Sequence, residues 1–111
     1  MSHWVEIPAS ALPASGGRGL FRHAGRCVLL VNVDGTLFAL DDSCPHAGAS
    51  LFGGKLDGRF IQCPAHGLRF DLASGCLAGR RDLGVARYPL EWRGDACFID
   101  LSESTFQVPT P

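Results

Sequence analysis

Fourteen glycines and seven prolines are scattered along 111 residues, and between them no segment carries a sustained apolar stripe at helical spacing. Long helices are excluded on that ground, because an internal glycine costs a helix about 1 kcal/mol and a proline about 3. At most one helical turn fits, near Pro8 to Leu12. The same punctuation favours hairpins. Asp34-Gly35, Asp57-Gly58 and Arg93-Gly94-Asp95 each separate two runs rich in β-branched, aromatic or aliphatic residues, which is the pattern of short strands joined by tight turns. The expected pairs are Arg26 to Val33 with Thr36 to Asp41, Lys55-Leu56 with Arg59 to Gln62, and Ala86 to Trp92 with Ala96 to Leu101. In the third pair Tyr88, Leu90 and Trp92 alternate with Arg87, Pro89 and Glu91, a period that buries one face of a strand and wets the other. Pro89 has no N–H for a ladder and points to an edge strand. The expected fold is all-β, a small sandwich or barrel of antiparallel sheets. No internal repeat is visible, and the linker-like stretches are Ala14 to Gly19 and Ser102 to Pro111.

A chain of this length suits one small domain. Its 46% apolar and 19% charged residues are globular in balance, and ten basic against eleven acidic side chains give a net charge of -1. No basic block is present to recruit nucleic acid or anionic lipid, so neither is expected as a partner. The longest aliphatic run, Cys27 to Val31, is five residues, far short of the roughly 20 that span a bilayer. The start MSHWVEIPAS has neither the basic head nor the apolar run of a secretory signal, and a cytoplasmic setting is the expectation. Five cysteines, Cys27, Cys44, Cys63, Cys76 and Cys97, are an odd number in such a setting. A complete disulfide framework is not expected, and some thiols should have another use.

That use is concentrated between Cys44 and His66. The sequence reads CPHAGAS and later CPAHG, so a cysteine and a histidine lie two apart in one loop and three apart in the next. Sixteen residues, 47 to 62, separate His46 from Cys63 and contain the Asp57-Gly58 hairpin signal. A hairpin there would bring the two loops side by side. Thiolate sulfur and imidazole nitrogen suit both iron–sulfur clusters and zinc, and the proline and glycine in each loop constrain a turn and allow close backbone approach. A metal or cluster site follows. A zinc staple would use the same four side chains, but zinc fingers favour two cysteines in one loop and two histidines in the other, whereas here each loop supplies one of each. A catalytic Cys–His pair would need only one of the two sets.

At Cys44, His46, Cys63 and His66 the chain resembles the Rieske [2Fe–2S] proteins, whose signature is C-x-H, a spacer of about this length, then C-x-x-H. Gly67, Phe70-Asp71 and Ser74-Gly75 also fall where such proteins commonly carry them, and the resemblance is strongest over residues 42 to 77. It implies a single Rieske domain, with a cluster-binding loop subdomain at about 42–77 inserted in a β base formed by 1–41 and 78–111. It implies one [2Fe–2S] cluster per chain, with Cys44 and Cys63 on one iron and His46 and His66 on the other, outer iron.

Two ferric ions, two sulfides and two thiolates sum to zero charge, so such a centre accepts an electron more readily than an all-cysteine cluster that starts out negative. Rieske centres accordingly span about −150 to +300 mV against about −400 mV for plant-type ferredoxins. High-potential members add a loop disulfide and hydroxyl donors toward the cluster. The matching positions here, Ala49, Ala65, Leu68 and Phe70, carry no side-chain donor, which places the expected potential near the low end, about −150 mV.

The resemblance further implies an electron carrier and not an enzyme in its own right, like the soluble ferredoxin of bacterial ring-hydroxylating dioxygenases. Such a carrier is a monomer that receives its electron from a flavin-dependent reductase and delivers it to a terminal oxygenase through small, transient contacts. Small or apolar residues around the ligands, Ala47, Gly48, Ala49, Gly53, Gly54, Ala65 and Leu68, are the expected approach surface. Two positions depart from these ferredoxins: Phe52-Gly53 stands where an acidic residue is usual, and Cys76 to Arg81 lacks the proline that shelters the cluster. Arg80 and Arg81 instead suit an acidic docking patch. The small subunit of assimilatory nitrite reductase shares the fold but commonly lacks the full ligand set. Cys27 and Cys97 are expected in the core and Cys76 as an inert thiol. His3 and His23 are expected in solvent, and Trp4, Trp92 and Tyr88 as core or sheet-face aromatics.

Overall fold

The computed structural model describes residues 4–42, 50–64, 67–78 and 84–101. Among the described residues nine strands run in order: β1 Trp4–Ile7, β2 Arg18–His23, β3 Arg26–Val33, β4 Thr36–Asp41, β5 Lys55–Asp57, β6 Phe60–Gln62, β7 Arg69–Asp71, β8 Leu90–Arg93 and β9 Ala96–Asp100. The one 3-10 turn among the described residues, Ala9–Ala11, lies where a helical turn was expected. The strands form three antiparallel sheets of three, ordered β1-β9-β8, β2-β3-β4 and β5-β6-β7, so the all-β expectation holds.

The β3–β4 hairpin is as the sequence predicts. Val33 pairs with Thr36 across Asp34 and Gly35, whose φ values of 52° and 89° are the two left-handed residues a type I′ turn requires. The Gly35 N–H donates to Asn32 Oδ1 at 2.9 Å. The β2–β3 hairpin turns on Ala24 and Gly25 with φ of 51° and 80°, a turn the sequence reading left unassigned because alanine seldom adopts this conformation. In the second expected hairpin Asp57 pairs with Phe60. The turn is therefore Gly58-Arg59, one residue later than the Asp57-Gly58 signal suggested.

Two further expectations are corrected. The stretch Ala14 to Gly19 is not a linker, because Arg18 and Gly19 open β2. Gly16 N–H donates to Asn32 O at 2.8 Å and Asn32 N–H to Gly17 O at 3.0 Å, which docks the approach to β2 against β3. The third hairpin is shorter than expected, with β8 starting at Leu90 after Pro89. β8 is an edge strand, as the proline indicated. Its alternation is only partly used: Tyr88 is buried and Leu90 half-buried, but Trp92, near the turn end of this edge strand, is 53% exposed.

β3 decides the layering. Its apolar run alternates between two cores: Val28 and Leu30 pack with Ile7, Phe21, Ala39, Tyr88, Cys97, Ile99 and Leu101, and Leu29 and Val31 pack with Leu40, Leu51, Ile61, Cys63, Phe70, Leu72 and Val85. All four β3 residues are fully buried. A continuous apolar run is what a strand covered on both faces demands, and each such side chain contributes about 1.5–3 kcal/mol of burial. The β2-β3-β4 sheet therefore lies between the β1-β9-β8 sheet and the small β5-β6-β7 sheet. The second core, built on Phe70, Ile61 and Leu51, supports the loops that carry the cysteine and histidine motifs.

Candidate metal centre

The first motif loop leaves the end of β4 and the second joins β6 to β7. Cys44, His46 and His66 lie outside the described residues, as do Ala47, Gly48, Ala49, Ala65, Arg80, Arg81 and His3. Cys63 is placed, and both loops are described at their bases.

Cys63 directly follows β6 and is 1% exposed. Its N–H donates to Leu68 O at 2.6 Å, and its carbonyl accepts from Gly67 N–H at 2.9 Å. These two bonds tie Cys63 to Gly67 and Leu68 at the β6–β7 end. Gly67 has φ +71°, the left-handed conformation that lets the chain turn back into β7 without a Cβ penalty. Gln62 adds a longer side-chain bond, Nε2 to Gly67 O, at 3.3 Å.

The first loop is closed by Asp42 and the segment after Ser50. Leu51 N–H donates to Asp42 O at 2.8 Å, and Leu51 is fully buried in the same core as Cys63. The chain then presses against β6: a Cβ on Gly54 would collide with the Gln62 carbonyl oxygen. That close approach explains the glycine, and it corrects the sequence reading. Gly54 is buried beneath the loops, whereas its neighbour Gly53 is exposed. The return limb of the first loop thus runs against the residue immediately before Cys63, so the two loop bases are adjacent.

Residues that the sequence reading missed hold this limb. Asp42 is 7% exposed; its Oδ2 accepts from Ser50 Oγ at 2.5 Å and its Oδ1 from Phe52 N–H at 3.0 Å. Arg18 of β2 donates through Nη1 to Phe52 O at 2.8 Å and also to Gly54 O. Neither residue has a motif signature, since their partners are set by sheet packing. Beside Asp42, burial raises the pKa of Asp41 above its ordinary 3.8, with Arg26 opposing and the Asp42 charge adding to the shift.

The remaining cysteines and aromatics are placed as follows. Cys97 is fully buried in the outer core, and burial raises its pKa. Cys27 departs from the core expectation: it is half-buried at the start of β3, with its thiol 3.9 Å from Asp42 Oδ2. Cys76 is a half-buried free thiol, Tyr88 is core, Trp4 is half-buried and His23 is exposed.

A thiol buried at the mouth of one tight loop, against the base of a second loop rich in the same ligand types, fits a thiolate-held cluster. Cys63 is 1% exposed, Gly54 lets the chain pass against the Gln62 carbonyl, and Gly67 takes a left-handed turn. Residues 3–89 match the Rieske [2Fe-2S] domain. The chain is 35% identical over 100 residues to the ferredoxin component of the naphthalene 1,2-dioxygenase system of Pseudomonas putida, spanning 89% of this chain and 96% of that one. It is 37% identical over 108 residues to the 3-phenylpropionate/cinnamic acid dioxygenase ferredoxin subunit of Escherichia coli O139:H28, spanning 94% and 98%. In structure it resembles the Sphingomonas yanoikuyae B1 ferredoxin, with a TM-score of 0.76 at 29% identity over 88% of this chain and 98% of that one. Shared sheets, shared loop chemistry and a third of all positions in common over nearly the whole length lead to one conclusion: this chain belongs to the Rieske [2Fe–2S] family and is a two-iron, two-sulfide protein.

Proposed function

We propose that this protein is a one-electron carrier of the dioxygenase-ferredoxin type, loaded by a flavin-dependent reductase and discharged by docking to a terminal oxygenase. The observation that carries the reading is the near end-to-end match to relatives named as ferredoxin components of dioxygenase systems. On this reading the 1–111 chain is one Rieske unit working as a monomer in the cytoplasm, with the cluster region at 42–77. Cys44 and Cys63 hold one iron, and His46 and His66 hold the other. Among the described residues no helix is long and apolar enough to cross a membrane.

When bound, the cluster supplies a one-electron couple. The chain's own residues shield the sulfur side, through Cys63 and the core beneath it, and shape the approach. Around the loop bases Phe52, Gly53, Pro64 and Gly67 are exposed. This is a small rim of short or apolar groups that a partner can approach closely, in keeping with transient redox encounters.

Reductive titration of the purified protein tests the reading. One electron per two irons, a rhombic EPR signal of the mixed-ligand type and gel filtration as a free monomer are the expected results. Zinc in place of iron, or co-elution as a fixed subunit of a reductase, would overturn it. The midpoint potential is expected near the Rieske lower limit of about −150 mV. Phe70 is fully buried and Leu68 half-buried, and neither side chain offers a donor to a cluster sulfur. A clearly positive midpoint would contradict that expectation.

A further inference from the structure

We infer that Asp42 is a positioning residue of the metal centre, tying together the two flanks of the segment that carries Cys44 and His46. The inference rests on the ligand reading above. Asp42 lies two residues before Cys44, and its side chain bonds Ser50 and Phe52 on the return limb. Its Oδ2 accepts a hydrogen bond from the Ser50 hydroxyl at 2.5 Å, its Oδ1 accepts one from Phe52 N–H at 3.0 Å, and the Cys27 thiol points to Oδ2 from β3 at 3.9 Å. Its backbone repeats the connection, with Asp42 N–H donating to Cys27 O at 3.1 Å and Leu51 N–H donating to Asp42 O at 2.8 Å.

A carboxylate this buried is costly unless its oxygens are satisfied. Here the satisfying groups belong to the two limbs of the loop and to the central strand β3. Loop closure, burial of the charge and attachment to the base sheet are one event, and nothing else described joins residue 42 to residues 50 and 52 through a side chain. Arg18 provides a natural comparison, because it grips Phe52 and Gly54 on the far side of the limb without touching residue 42.

The test uses the cluster-loaded full chain. Asp42→Ala is expected to speed chelator-driven cluster release about 10- to 100-fold, the range typical of lost outer-shell support, and to broaden the EPR signal. Asp42→Asn keeps an oxygen for Phe52 N–H and an amide for Ser50 Oγ, and should stay within about threefold of wild type. Ile99→Val, in the opposite core, controls for general loss of stability: matched with the Asp42 variants at equal distance below its own melting temperature, it should release at the wild-type rate. Wild-type release and line shape in Asp42→Ala, or equally fast release from the control, would overturn the inference. If Asp42→Ala fails to fold, Ser50→Ala removes the shorter Asp42 bond together with the 3.3 Å bond from Phe52 N–H to Ser50 Oγ and should still accelerate release several-fold, and an unchanged rate there would overturn it too. Wild-type protein that binds no iron would instead overturn the ligand reading.

Discussion

Cys63→Ala is expected to yield protein without the Rieske chromophore, whereas His66→Cys should remain coloured with its midpoint lowered by something on the order of 100 mV or more. The contrast follows from what each residue contributes if the proposed ligand set is right. Cys63 is 1% exposed, and its backbone closes the second loop through bonds to Gly67 and Leu68. Alanine keeps those backbone bonds but removes the sulfur from a site that water cannot readily fill, leaving one iron a ligand short. Cysteine at 66 restores the ligand count and adds one negative charge beside a centre that becomes more negative on reduction. The shift should move from the Rieske range toward the roughly −400 mV of all-cysteine ferredoxins. Redox potentiometry followed by visible circular dichroism reads both variants. A coloured Cys63→Ala protein, or an unmoved midpoint in His66→Cys, would refute the assignment of these ligands.

Phe70→Ala is expected to cost about 3–5 kcal/mol, a large part of the roughly 5–15 kcal/mol that holds a domain of this size folded. Phe70 is completely buried, pairs with Ile61 across the β6–β7 ladder and bridges to Leu77 on its other side. It packs with Leu51, Leu72 and Cys63 in one core. Truncation would open a cavity directly beneath both motif loops. Trp92→Ala offers the opposite case, since that larger side chain is 53% exposed on an edge strand and its loss should stay within about 0.5 kcal/mol. Urea midpoints of the loaded proteins at a common slope measure both. Equal costs at the two positions would mean that the small sheet is not packed as described.

The β3–β4 hairpin could be read directly because Asp-Gly between two apolar runs specifies its own turn, whereas the burial of β3 on both faces emerged only from the packing. The cysteine and histidine spacing was legible as a family signature, and the match of residues 3–89 to the Rieske domain bears out the family; of the four side chains only Cys63 lies among the described residues. β1 was not legible: its four residues, Trp4–Ile7, have no local turn to betray them, and they become a strand only by pairing with β9 from the other end of the chain. β2 was hidden behind an Ala24-Gly25 turn and buries only Phe21 fully. Gly54 looked like a small residue left clear for a partner, but the space it leaves is filled by the Gln62 carbonyl. Asp42 and Arg18 were silent for a related reason. Their roles depend on which backbone groups the packed sheets bring within reach, and nothing in the order of residues records that.

The placement of β3 as a wall common to both apolar compartments bears on how the molecule comes apart. Stripping either outer sheet exposes one side of a strand whose other side lines the remaining compartment, so loss of one compartment is expected to weaken the other. Damage where β1 pairs with β9 should therefore lower the melting temperature and, at one fixed temperature, shorten the lifetime of the iron far away in sequence. The β1–β9 pairing becomes one of the conditions for keeping the electron store assembled.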